Sequence, residues 1–311
     1  MNLIAKPDGI PLIVGAYAAL PSDRGAQEAF YAGLSERGLA TGLELPFRDC
    51  LAEEPDWLAR QLQGRFTGSI ITLIPGTMVR VGRDAVFGLA SPDAAGRLAA
   101  RAYVRRAREE AEDLNQRTGQ QSVSVLHIHT APSVTATSEA FARSLGELAD
   151  DGTWSTRLVL EHCDAYSPEF PGEKRFLPLD AELGPARDAG IRITVNWGRS
   201  AVEAQSAARP GEHIRLLAEA GLLEGVMFSG AGAEANQYGG PWADAHLPLT
   251  EDESTSLMDS DEVLRCLRDA GDGLAYAGVK IQVPADATVQ QRLDLIEHGT
   301  RLLQASRHAE R

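Results

Sequence analysis

Glu161, His162 and Asp164 close the apolar run "LVLEHCDA", and His127 and His129 stand two apart in "SVSVLHIHT". Carboxylates and imidazoles take up and return protons, and both bind divalent metals. Side chains alternate along a strand with period two, so the two imidazoles share one face. The same parity across the other apolar runs collects Tyr17 after "PLIVGA", Glu44 in "TGLELPF" and Thr72 in "GSIITLIPG". It also collects Glu161 in "TRLVLEH", Thr194 and Asn196 in "IRITVNW", Ser229 in "LEGVMFSG", and Lys280 with Gln282 in "AYAGVKIQV". Leu160 and His162 take the opposite parity to Glu161. Each polar residue alone reads equally well as an interior hydrogen-bonding group. The set reads as a polar cup, because burying so many ionisable groups without a use is costly.

The elements that must position this set alternate along the whole chain. The eight short apolar runs above, the first of them extending as "PLIVGAY", are each followed by an amphipathic segment. The order strand, helix, strand implies parallel βαβ units. Eight units in a 311-residue chain predict an α/β fold, a (β/α)8 TIM barrel forming a single domain over residues 1–311. An open doubly wound sheet is the alternative, but "GAYAALPSDRG" after the first strand is not a glycine-rich dinucleotide loop. The clearest helix runs over residues 91–117, with Ser91 as N-cap, Pro92 in the first turn and Gly119 just past the end. Long loops are expected at residues 76–90, 164–176, 199–210 and 230–259. All follow strands, so they belong to the face where active sites of this fold lie. The last, "FSGAGAEANQYGGPWADAHLP", is glycine-rich and carries Trp242, Asp244 and His246. It reads as a lid that contributes contacts to a ligand.

Composition narrows the partners. Net charge is −14 at pH 7, which repels a phosphate backbone, and the basic run "RAYVRRAREE" is followed by acids and reads as a solvated helix face. Nucleic acid is therefore not expected. No run of about 18 apolar residues suggests a membrane span, and the N-terminal stretch does not read as a secretory signal. Cys50, Cys163 and Cys266 are odd in number and lack CxxC spacing, which fits a reducing cytoplasm. Cys163, beside Glu161 and His162, reads as a buried filler thiol more readily than as a nucleophile.

The eight-unit order, "LVLEH" and "GIRITVNWGRSA" together resemble the xylose isomerase-like TIM barrels, a superfamily of sugar and sugar-phosphate isomerases and epimerases, and more particularly an uncharacterised branch of it. The resemblance spans about Leu12 to Leu303. It implies a divalent cation, Mg or Mn, held by Glu161 of the fifth strand and by side chains of the sixth, seventh and eighth. Those positions carry Asn196, Ser229 and Gln282, neutral groups that weaken the attraction for a hard cation, and the remaining ligands are not apparent.

The resemblance implies proton transfer beside a carbonyl of a sugar or sugar phosphate at the barrel mouth. Glu161 or Glu44 would be the base, His129 the acid–base partner and Lys280 the stabiliser of the enediolate oxygen. Arg199 would bind an anionic group, with Tyr17, His127, Asn196, Ser229, His246 and Gln282 completing the substrate contacts. Two alternatives stand beside this one. One is a metal-independent lyase or aldolase with Lys280 as Schiff-base amine; the other is a sugar-binding barrel without catalysis. A phosphodiester nuclease is disfavoured by charge and by too few His and carboxylate ligands. The sequence leaves homo-oligomerisation open.

Overall fold

The computed structural model describes residues 10–150 and 152–305. The reading of the extreme N-terminus therefore lies largely outside the described residues. Eight parallel strands close into one barrel in sequential order. They are β1 Leu12–Val14, β2 Gly42–Pro46, β3 Ser69–Thr72, β4 Val123–Ile128, β5 Arg157–His162, β6 Ile193–Asn196, β7 Leu223–Phe228 and β8 Tyr276–Val279. The surrounding helices are α1 Arg24–Glu36, α2 Pro55–Leu62, α3 Ile74–Arg83, α4 Ala94–Thr118 and α5 Ser138–Ala149. They continue with α6 Leu179–Asp188, α7 Trp197–Ala204, α8 Arg209–Glu219, α9 Ser260–Ala270 and α10 Val289–Ala305.

Outward-facing strand residues such as Leu43, Ile71, Leu126, Leu160, Val195 and Val226 belong to the main core, packed with helix residues such as Phe30, Phe141 and Leu217. Inside the barrel, Ile13, Ile70, Val125, Val159, Met227 and Tyr276 form a separate apolar layer. Two residues further along the strands stand Thr72, His127, Glu161 and Ser229, all buried. The period-two alternation thus stacks a polar layer directly above an apolar floor, towards the C-terminal ends of the strands.

Three local expectations need correction. The stretches 76–90 and 199–210 are not open loops, since α3 occupies much of the first and α7 with the start of α8 much of the second. The cap of α4 is Asp93, whose carboxylate accepts from the Gly96 N–H at 2.8 Å. Ser91 instead accepts from the Asp93 N–H, because a hydroxyl two residues upstream forms a local turn rather than a cap. Strand β8 ends at Val279, which leaves Lys280 and Gln282 on the segment beyond it. Gly119 does close α4 in the left-handed region, at φ 67°.

Candidate active site

Glu161 is the hub of the polar layer. Its Oε1 lies 2.8 Å from Arg199 Nη1 and 3.8 Å from Lys280 Nζ. Its Oε2 lies 2.9 Å from His129 Nε2, and the Thr72 hydroxyl donates to it at 3.3 Å. Glu44 stands on the other side of Lys280, 3.2 Å from the ammonium. His127 presents Nδ1 to both carboxylates, 3.9 Å from Glu44 and 3.8 Å from Glu161. Its Nε2 meets the Tyr276 hydroxyl at 2.7 Å, and Tyr276 also bonds Thr194. Glu44, His127, Glu161 and Lys280 are fully or almost fully buried.

Local structure explains how two cations reach the centre of a barrel. Asn196 ends β6 and caps α7, its side-chain oxygen accepting from the Arg199 N–H at 3.3 Å. The cap fixes Arg199 in the first turn, where the helix dipole disfavours a cation. Two carboxylates offset this: Glu161 takes Nη1, and Asp244 takes Nε at 3.0 Å. Lys280 enters beside Gly15, where an added Cβ would sit 2.6 Å from the Lys280 Cγ. Only a residue without a side chain at 15 admits the lysine stem.

The long loop after β7 supplies Asp244, which also pairs with Lys174 at 2.9 Å and with His246 at 3.2 Å. His246 in turn bonds the Ser229 hydroxyl at 2.8 Å. The loop expected to act as a lid therefore reaches the polar layer through Asp244 and His246.

These contacts set the protonation states. Burial alone would raise the Glu161 carboxyl, but Arg199 and Lys280 hold it well below the usual range. Burial raises Glu44, reinforced by the charge of Glu161 and opposed by Lys280. Burial disfavours the Lys280 ammonium, yet Glu44 together with Tyr17 and Glu161 more than offsets that and raises its pKa. Burial lowers His127 to about 3, and lowers His129 despite its bond to Glu161. The layer thus holds fixed cations, one firmly ionised carboxylate, one carboxyl of raised affinity for protons, and neutral imidazoles.

The structure brings Glu161, His129, His127, Glu44, Lys280, Asn196 and Arg199 together. Tyr17 adjoins them with its ring centroid 5.9 Å from Lys280 Nζ, but it lies on a short 3-10 turn past β1 rather than on the strand. Ser229 and His246 attach through Asp244. Gln282 turns away and donates to the Ala245 carbonyl at 2.8 Å, holding the loop rather than lining the centre. Arg199 lies in α7 with its guanidinium committed to Glu161 and Asp244. Sequence reading missed Lys174 and Tyr276. Tyr276 shares the parity of Lys280, four residues on, and that signal was available; nothing in the loop containing Lys174 marks it.

A hard divalent cation at the position implied by the resemblance does not fit these residues. Arg199 and Lys280 already press positive charge against Glu161. Ser229 bonds His246 and Gln282 bonds a backbone carbonyl. The donors of Glu44, His127 and Glu161 do lie within 4.8 Å of one another, but the Lys280 ammonium stands 3.2 Å and 3.8 Å from those two carboxylates and opposes a second cation there. Cys163 is buried beside Arg199, and burial pushes its thiol up, away from the thiolate that nucleophilic attack requires.

The closed barrel is shared with solved structures of sugar epimerases and related proteins. A D-tagatose 3-epimerase-like protein matches with a TM-score of 0.61 at 14% identity, over 97% of this chain and 100% of that one. An L-ribulose 3-epimerase matches at 0.59 and 14%, over 97% of each. At that identity the likeness is one of fold. Residues 13–295 match the model of DUF4862, a domain of unknown function. Uncharacterized protein STM3670 of Salmonella typhimurium (strain LT2) is 34% identical over 304 residues, 94% of this chain and 96% of its own length. The chain belongs to the DUF4862 family.

Proposed function

We propose that this barrel isomerises or epimerises a sugar by moving a proton on a carbon beside a carbonyl, without a metal at Glu161. One observation carries the reading: Lys280 Nζ stands 3.2 Å from Glu44 and 3.8 Å from Glu161, and the two carboxyls are shifted in opposite directions. Titratable groups pushed apart in this way mark acid–base assignments. Glu44, with the raised pKa, removes the proton, and His129 as its acid–base partner delivers a solvent-derived proton to the opposite face of that carbon for epimerisation, or to the former carbonyl carbon for isomerisation. The C–H electron pair moves onto the carbonyl oxygen, and the Lys280 ammonium stabilises the charge that develops there. Glu161 remains ionised and orients Arg199, Lys280 and His129.

The substrate class is an unphosphorylated ketose. The structures of like fold include a D-tagatose 3-epimerase-like protein and an L-ribulose 3-epimerase, and Arg199 is spent on two carboxylates rather than held ready for a phosphate. The aldolase alternative is weaker, since Schiff-base formation needs a neutral amine and Glu44 keeps Lys280 charged. Cytoplasmic residence belongs to the same proposal, supported by three unpaired cysteines. Incubation with a panel of ketoses and aldoses, free and phosphorylated, followed by separation of the sugars, tests the reading. It expects an epimer or isomer from a free ketose. Conversion of phosphorylated sugars alone overturns the substrate class, and ligand binding without any conversion returns the protein to a sugar-binding barrel.

A further inference from the structure

A second cluster of buried titratable side chains lies outside the barrel, between β5 and three helices. His162 ends β5 with its ring facing away from Glu161. Its Nδ1 is 2.7 Å from Glu182 Oε2 on α6, and its Nε2 is 3.0 Å from Glu203 Oε2 on α7. His213 on α8 bonds the Ser200 hydroxyl through Nδ1 at 3.0 Å and directs Nε2 to Glu203 Oε1 at 3.5 Å. The two rings meet edge to face with centroids 4.9 Å apart. Each imidazole is therefore anchored through Nδ1 by a group of its own, and both present Nε2 to one carboxylate.

We propose that His162, Glu203 and His213 form a binding site for a single zinc-class divalent cation. Three features of the geometry support it. The donor atoms of the three residues all lie within 4.8 Å of one another. A tetrahedral zinc with bonds of roughly 2.0–2.1 Å holds its ligand atoms about 3.3 Å apart. His162 Nε2 lies 3.0 Å from Glu203 Oε2 and His213 Nε2 lies 3.5 Å from Glu203 Oε1, so the two imidazoles flank the two oxygens of one carboxylate at about that spacing. The Nδ1 anchors are the arrangement that orients metal-binding histidines and fixes their tautomer, and Glu182 is itself held by the Thr130 hydroxyl at 2.7 Å. Two imidazoles with one carboxylate select zinc or a similar transition metal over Mg or Ca. The Glu203 side chain keeps 12% of its surface exposed, which leaves a route for the ion. Bound there, the metal would tie α7 and α8 to the end of β5, one residue from Glu161, and take no part in the barrel chemistry.

The test loads the full chain, stripped of metal by dialysis against a chelator, with zinc and separately with cobalt. Expected are about one equivalent of tightly bound zinc and the strong visible absorption of tetrahedral cobalt. Both are lost in His213→Ala and in the more conservative Glu203→Gln, and both survive in Glu161→Gln, with folding checked by circular dichroism. Ser200→Ala, which removes only an anchor, should weaken affinity by about tenfold or more. A folded wild-type chain that takes up no zinc overturns the proposal without reference to any variant. So does uptake that persists in both His213→Ala and Glu203→Gln, or that disappears only in Glu161→Gln. None of these outcomes bears on sugar conversion, which is read separately.

Discussion

Arg199 Nη1 lies 2.8 Å from Glu161 Oε1, and each residue is only 1% exposed. An ion pair so buried is held by mutual need: removing one partner leaves an uncompensated charge in the barrel. Arg199→Ala should cost about 3–5 kcal/mol of stability, measured by urea denaturation. A loss below about 1 kcal/mol would show that Glu161 does not depend on the guanidinium.

Acidification should destabilise the protein earlier than its carboxylates alone would require. His127 is depressed to about 3 by burial, whereas an unfolded histidine titrates near about 6.5. The unfolded chain therefore binds the extra proton, and the stability His127 contributes is present above about pH 6.5 and is lost as pH falls towards 3. The slope is about 1.4 kcal/mol per pH unit for each such group. His127→Gln should flatten the dependence between pH 6 and 4 by about that amount. An unchanged slope would mean that the native imidazole is already charged, satisfied by Glu44 and Glu161.

Gly15 should be sensitive although it carries no side chain. A Cβ there would meet the Lys280 stem at 2.6 to 2.9 Å and displace the ammonium from between the two carboxylates. Misplacement by about 1 Å can cost about 10²-fold in turnover. Gly15→Ala should therefore lower kcat by about that factor with little change in KM. A variant with wild-type kcat would remove Lys280 from the reacting centre.

Borohydride should not trap a ketose on the protein, because Glu44 keeps the Lys280 amine protonated. A covalent adduct mapped to Lys280 would replace the proton-transfer account with the Schiff-base one.

The barrel was legible because each strand states its own parity. In "VSVLHIH" and "LVLEH" the apolar floor and the polar layer alternate within one run, so Val125 with His127 and Val159 with Glu161 fall on one face before any coordinates are seen. The pairing partners were not legible. Glu161 meets His129 across 32 positions and Lys280 meets Glu44 across 236, and only closure of the barrel sets those distances. The expected loops at 76–90 and 199–210 are largely helical in α3, α7 and the start of α8, although Pro75, Gly76 and Gly198 lie in those helices. Pro75 is tolerated in the first turn. Gly198 is required because a Cβ would lie 2.3 Å from the Ser229 carbonyl oxygen. The parity that turned His162 away from Glu161 was read correctly, yet its partners Glu182, Glu203 and His213 sit on three helices with no common spacing to announce them.

Proton exchange with solvent tests the central claim most directly. A free ketose converted in deuterated water should gain deuterium at the carbon that epimerises or, on isomerisation, at the former carbonyl carbon. Added Mn or Mg should leave the rate unchanged. Glu44→Gln should lower it by about 10²–10⁴-fold while the bound sugar is still detected by calorimetry. Product that carries no solvent deuterium, a rate that rises steeply with Mn or Mg, or a Glu44→Gln chain that exchanges as fast as wild type would contradict the account.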